Sequence, residues 1–428
     1  MSANAPAVTN GNTGAADNNL NDDFIKTVFP VTSLINSDEG TKLSKWYLAW
    51  FKQQLDALPS LVTDKVLDIG ELLIPVAFFF KAGKSIDDVG EFVLGHFMTD
   101  EQDDASRDLA KTIAFAILGW QTMLYLPSLN TCPLGNFAVA DVFDGHTIPA
   151  FWAIRQDSSL THLPIPDFLL GFGLMLPQGN IFISEDTEDC QNFDRMTMVR
   201  PEEFNLALMS RWAGVRISWT EVLSAHMEFD PDAKVLFLFK YPTFCYLNLP
   251  ESTDSIGVIH SCSSVSLEKW GSIEDVTQYL REVLLSYRLL FGQSPESRKL
   301  FRTVNPFKEK TPKELHDPLL EQLCTAQQYS SLDFLQKVRI HERDAYRHKR
   351  DFPILRARIA IMQKNLRQWK PRGWPSIWND RMDPASWYTF WAVLVIGVLL
   401  LILVIGLLIL QVLQFVGLGQ ERTNSSTP

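Results

Sequence analysis

The residues of this chain best equipped for chemistry fall in a few short stretches. In HERDAYRH, His341, Asp344 and His348 stand three and four residues apart, so a helix would bring two imidazoles and a carboxylate to one face. That donor set suits a transition metal. Arg339, Arg343, Arg347, Lys349 and Arg350 crowd the same stretch, however, and their charge opposes a cation and favours a solvated charged face. In FFFKAGKS an apolar run leads into Gly83-Lys84-Ser85, the closing half of a phosphate-binding loop. The complete loop needs a glycine five residues before Gly83, so that backbone amides can wrap the phosphate, and Phe78 stands there. A plain connection between two core elements is the expectation.

His226 lies in ISWTEVLSAHMEFD, where Ser218 and Glu221 have capping-box spacing and predict a helix with Trp219, Val222, Leu223 and Met227 on one flank. An imidazole there could act as a general base. No Ser or Cys nucleophile with a recognisable elbow accompanies it, so a hydrogen-bonded core histidine is expected. In DVFDGH, Asp141, Asp144 and His146 form a small polar cluster whose spacing selects no reaction. The acidic run SEDTEDC, Ser184 to Cys190, lacks the spaced ligands and central glycine of a calcium loop. Cys132, Cys190, Cys245, Cys262 and Cys324 are odd in number, scattered and without a CxxC pair, so they read as free thiols rather than a disulfide framework or a zinc site. No catalytic, cofactor-binding or metal site is expected, and a non-enzymatic role is favoured. The alternative is an enzyme with a dispersed site, around His226 or Asp141, Asp144 and His146, acting on a lipid-soluble substrate.

The elements that would position these residues are mainly α-helical, with few short strands. EQDDASRDLAKTIAFAILGWQTM opens with acids and continues apolar, as a helix N-terminus prefers. DVTQYLREVLLSYRLLFGQSPESRKLF predicts an amphipathic helix stopping at Gly292 and a second one capped by Ser294-Pro295. KVLFLFKYPTFCYL reads as a strand with a turn at Tyr241-Pro242, while NFAVADVF and FWAI are shorter strand-like pieces. LLIPVAFFF, TIAFAILGWQTMLYL and FLLGFGLMLP are too short to cross a membrane and read as core.

Phe390 to Leu410 is different: 21 residues without a charge, enough at 1.5 Å per residue for the roughly 30 Å of a hydrocarbon core. Trp387, Tyr388, Phe390 and Trp391 crowd one end, where aromatic rings favour the headgroup level. Charge gives the segment a direction. From residue 331 onward 14 Lys and Arg face 7 Asp and Glu, whereas the first 330 residues hold 25 against 43. Twelve of the basic residues lie between Lys337 and Arg372, and beyond the apolar run Arg422 is balanced by Glu421. The positive-inside bias then predicts a cytosolic body, a basic stem within reach of anionic lipid, and a tail anchor favouring the endoplasmic reticulum. Asn424 heads the chain's one N-x-S/T sequon, on the lumenal side and close to the bilayer, which makes it a weak glycosylation candidate. An acidic body excludes a nucleic-acid-binding role, since phosphate neutralisation needs a basic face.

The expected organisation is a disordered tail over 1–23, lacking a secretory signal; a mainly α region with short strands over 24–200; and a mainly α region with a hairpin over 201–330. A basic helical stem over 331–384, a transmembrane helix over 385–415 and a short tail over 416–428 follow. The stem divides at Pro353, after which Leu355, Ile359, Met362, Leu366 and Trp369 recur by four and three. That stripe either packs on the body or meets a partner, a second copy included. GWQTMLY, LLSYRLLFGQSPESRKLF and RGWPSIWNDRMDPASWYTFW followed by the apolar run resemble an uncharacterised family of filamentous-ascomycete (fungal) proteins, which end in W-x-DRR and a WYTFW approach to a membrane helix. Met382 stands where that pattern has its second arginine. The resemblance implies a fungal source and sometimes an accessory place in secondary metabolism, and it assigns no functional residue.

Overall fold

The computed structural model describes residues 22–30, 37–63, 69–98, 103–129, 134–140, 155–172, 198–251, 255–263, 271–307, 311–369 and 384–424. They form a mainly α structure with a few short strands, in two compact units, Met1–Gln368 and Trp369–Pro428.

The first unit begins with helix α1 (22–28), which buries Phe24, Ile25 and Val28. In α2 (Asp38–Asp56) Ser37 caps the start by accepting the Gly40 N–H at 3.1 Å, and Asp38 and Glu39 complement the helix dipole. Leu43, Trp46, Tyr47, Trp50 and Phe51 recur at helical spacing and make its buried face. α3 (Ile69–Lys81) contains Pro75 and buries Leu72, Leu73, Val76, Ala77 and Phe80, while Phe78 faces outward, 59% exposed. α4 (Ile86–Phe97) crosses α5 (Asp104–Thr122), which is buried all round over its last turns. Gln121 Nε2 there donates to the carbonyl of Leu73 at 2.8 Å.

Two-stranded pairing of β1 (Asn136–Ala138) with β2 (Arg155–Asp157) precedes α6 (Ile165–Leu170), and β3 (Met198–Val199) is an isolated short strand at this point in the chain. A three-stranded sheet follows. β4 (Arg216–Thr220) runs parallel to β6 (Val235–Phe239), with Arg216 opposite Val235, and β5 (Phe229–Asp230) pairs antiparallel on the other side of β6. Leu236 to Phe239 are all buried, as a central strand covered on both faces requires.

This overturns the helix expected to start at Ser218 and continue through Met227. Ile217, Trp219 and Thr220 are β-branched or aromatic, and pairing with the buried β6 prevails over the local capping spacing. The Glu221 carboxylate instead accepts from Trp50 Nε1 at 2.9 Å and pairs with Lys240 Nζ at 2.6 Å. Tyr241-Pro242 likewise opens a helix, α7 (Pro242–Leu247), with proline in its first turn, where the missing N–H costs nothing.

α8 (Ile273–Tyr287) starts from a Ser272/Asp275 capping box and widens into a π-turn over Arg288–Gly292. α9 (Pro295–Val304) follows with Ser294 as its cap, as read from the sequence. The remaining elements are α10 (Leu320–Thr325), α11 (Asp333–Lys337), β7 (Tyr346–Arg347), which pairs antiparallel with β3, and α12 (Arg356–Trp369). Leu355, Ile359 and Met362 are buried within the body. The second unit carries α13 (Pro384–Asn424).

Buried polar groups hold the later elements to α8. Arg288, wholly buried, donates to the carbonyls of Leu323 at 2.6 Å and Ala326 at 2.9 Å and pairs with Glu342. Its guanidinium lies over Gly292, where an added Cβ would fall 2.3 Å from Arg288 Cζ. Removing one partner of such a pair leaves a charge and two carbonyls without partners. Arg288→Met is therefore expected to cost about 3–5 kcal/mol, and Gly292→Ala about 1–3 kcal/mol by overpacking. Urea midpoints of purified protein measure both, and wild-type midpoints would contradict this account.

Candidate functional site

His226, one of the residues that looked catalytic, is held by structural hydrogen bonds. His226 is fully buried, its Nδ1 accepts the Phe239 N–H at 3.2 Å, and its Nε2 lies 2.8 Å from Ser286 Oγ. Since Nδ1 accepts, the neutral ring carries its proton on Nε2 and donates to Ser286, whose hydroxyl donates to the Val283 carbonyl at 2.7 Å. The nitrogen facing the hydroxyl is thus the protonated one and cannot take the serine proton. His260 repeats the arrangement: Nδ1 accepts from Gly257 N–H at 3.2 Å, and Nε2 faces Thr277 Oγ1 at 3.3 Å, which donates to the Ile273 carbonyl. Both histidines brace loops against α8.

His341, Asp344 and His348 do not share a helical face. Residues 341–345 are irregular, His348 is buried, and His341 and Asp344 are exposed. The break comes from α11, which ends in a left-handed turn at Arg339 and redirects the chain. Among the described residues no group of three or more His, Cys, Asp or Glu is arranged to hold a metal. Gly83 has φ of +74° and turns the chain from α3, and Ser85 caps α4 in a box with Asp88. Cys245, Cys262 and Cys324 are buried and form no disulfide, and burial pushes their thiols up. Cys132, Cys190, Asp141, Asp144, His146 and the Ser184 to Cys190 run lie outside the described residues.

Two features of the described residues are suited to a function. The first is α13. Its stretch Trp391–Gln414 contains an 18-residue window of mean hydropathy 3.6, none of it buried, and at about 1.5 Å per residue the stretch is long enough to cross a bilayer. Trp387, Tyr388 and Phe390 fall in its first turns, Tyr388 exposed, and Leu410 is 57% exposed. Asn424 is its last residue.

The second is a pair of cavities, about 480 and 250 Å³, that share Arg281 of α8 and Arg339 in their linings. The larger is completed by Ser37 and Glu39 from α2, Tyr246 to Glu251 after α7, and Lys337. The smaller brings His341, Arg343 and Arg350 together with Glu282 and Asp351. Both carboxylates of the smaller cavity are committed. Asp351 pairs with Arg343 and Arg350, each at 3.2 Å, and Glu282 accepts the N–H groups of Ile354 and Leu355 and the Gln278 amide. Arg281 Nε is shut from solvent without a hydrogen-bond partner, and burial together with the charge of Arg339 lowers its pKa.

Arg339 itself has φ of +59°. Its N–H donates to the Gln336 carbonyl and that of Ile340 to Leu335, both at 3.0 Å, which is the helix-ending turn whose left-handed residue is usually glycine. The basic content of the stem was legible in the sequence, but this site was not. The available signal was Arg281 and Arg288, two turns apart inside the apolar stripe of α8. No family model, curated protein or solved structure matches the chain.

Burial sets opposing pH responses in the polar core. It pushes Glu282 up to about 8 and Asp317 up to about 7, against the N–H donors that favour their ionised forms. It lowers His260 and His348 to about 4 and holds His226 well below its ordinary value, with Arg358 adding to the last effect. A carboxyl raised on folding contributes fully below its unfolded value and loses that contribution as pH rises through the folded one. A histidine lowered on folding contributes above its unfolded value and loses that contribution as pH falls through the folded one. Stability of the body is expected to peak near pH 6.5, where the protons taken up by the unfolded histidines balance those retained by the folded carboxyls. Glu282→Gln should flatten the decline towards pH 8, measured as urea midpoints across pH 4.5–8.5; an unchanged decline would refute the role of Glu282. Arg339→Gly is expected to leave the urea midpoint unchanged or raise stability by up to about 1 kcal/mol, because relief of the left-handed strain offsets the added chain entropy.

Proposed function

We propose that this chain is a membrane-tethered interaction or accessory protein without catalytic activity of its own, its acidic body facing the cytosol from a tail anchor, with the endoplasmic reticulum as the favoured membrane. The observation that carries this reading is the stretch Trp391–Gln414, uncharged, strongly apolar and unburied, since a soluble protein exposing such a surface would aggregate. Twelve Lys and Arg between Lys337 and Arg372, against the balanced Glu421 and Arg422, support the orientation. The same residues favour contact with anionic lipid, worth about 1 kcal/mol for each well-placed one. Protein partners or self-association through the acidic body belong to this reading, as does the resemblance to fungal proteins. The alternative of a dispersed enzyme around His226 is weakened by the direction of the His226–Ser286 hydrogen bond.

Two measurements test it. Carbonate extraction of cell membranes should leave the full chain in the pellet, and deletion of residues 391–414 should release it. Protease added to sealed microsomes should digest the body and spare a C-terminal epitope; a protected body would reverse the orientation. Asn424 stands ten residues, about 15 Å of helix, beyond Gln414 and is expected to remain unglycosylated, checked by glycosidase mobility shift.

A further inference from the structure

We propose that Arg281 and Arg339 bind the phosphate of a phosphorylated polyol, whose hydroxylated remainder lies in the larger of the two cavities. Among the described residues neither guanidinium has a carboxylate partner, and the two line the same two cavities. By contrast Arg288, Arg343, Arg350 and Arg358 are all paired with carboxylates. Two like charges at one junction repel, and a phosphoryl group, with several acceptor oxygens, relieves that repulsion by accepting from both forks. Arg281 Nε has no hydrogen-bond partner among the described residues, so no protein acceptor there competes with a ligand for the guanidinium.

Arg339 is the independent observation. The turn that ends α11 places it in a left-handed conformation that glycine adopts without strain. Strain held at a residue that lines a cavity points to a role for its side chain rather than its backbone. Asn or Gly would serve the turn equally and would remove the charge.

The larger cavity defines the rest of the ligand. Its volume of about 480 Å³ suits a small molecule or a headgroup. Glu39 and Glu251 line it and are absent from the smaller one. Carboxylates there accept from hydroxyl donors, Lys337 adds a third cation, and Tyr246, Leu249, Pro250 and Val338 offer an apolar wall. A phosphate ester of a sugar, glycerol or cyclitol fits this pattern. The same chemistry is presented by a soluble sugar phosphate and by the headgroup of a phosphorylated glycolipid or phosphoinositide.

The test uses the full chain in detergent or in nanodiscs, at low ionic strength. Inorganic phosphate, glucose 6-phosphate and myo-inositol 1-phosphate are titrated calorimetrically, and thermal midpoints are read in phosphatidylcholine nanodiscs with and without phosphatidylinositol 4-phosphate. Arg339→Gly keeps the turn and should bind the polyol phosphates roughly tenfold or more weakly, as expected for loss of a charge-assisted contact. Arg281→Gln should do the same, and Arg302→Gln, which removes a charge from the exposed side of α9, should bind as wild type. Saturable binding of the soluble probes identifies a soluble ligand; a midpoint rise only with the phosphoinositide identifies a headgroup. The proposal is overturned if wild type saturates with none of these probes, or if Arg339→Gly binds them as wild type does. Binding of the soluble probes does not require membrane insertion, so this result and the anchor result stand or fall separately.

Discussion

A carboxylate shut away from water has to be given donors, and Glu282 receives them from the backbone N–H groups of Ile354 and Leu355, 72 and 73 residues further along the chain. Those groups stand at the start of α12, where a helix cannot satisfy them itself. A single side chain on α8 therefore caps a helix from a distant part of the sequence. The cap brings Leu355, Ile359 and Met362 onto the body in the register that buries them. Arg358, one turn further along, reinforces this placement through Glu228 and the His226 carbonyl.

The same logic recurs along the second half of the body. Asp317 accepts the N–H groups of Leu319 and Leu320 at the start of α10 and that of Thr243 in α7. Arg288 closes the carbonyls at the other end of α10. In each case a buried ionisable group is matched by orphan backbone groups at a helix end, so its burial and the termination of the helix are satisfied together. The arrangement makes α8 the common reference for α7, α10 and α12. It also explains why Gly292 is required: the turn after α8 leaves room for Arg288 to fold back over it.

What could be read from the sequence follows from the range of the interactions involved. α5, α8, α9 and β6 were legible because acids at a helix start, a capping serine, Pro295 and an unbroken apolar run are local signals. The long apolar helix was legible for the same reason. β4 was not, because its partner lies some fifteen residues away and Ser218 and Glu221 mimic a helix cap. The face imagined for His341, Asp344 and His348 failed at Arg339, a left-handed residue that sequence gives no reason to expect where glycine is absent. The junction of Arg281 and Arg339 depends on that same turn, so no spacing rule could have joined two residues from different elements.

The position of α12 in the chain bears on how the protein is made. Its cap partner Glu282 is already synthesised when Ile354 and Leu355 emerge, and the body can close once residue 369 is free. The apolar stretch begins at Trp391, 22 residues later, which at about 5–20 residues per second leaves roughly 1–4 s between the two events. Local docking of a helix onto a preformed surface is faster than that. The body is thus completed, and its own apolar stripe covered, before the ribosome releases a second and much larger apolar surface, so the new chain exposes one long hydrophobic segment instead of two.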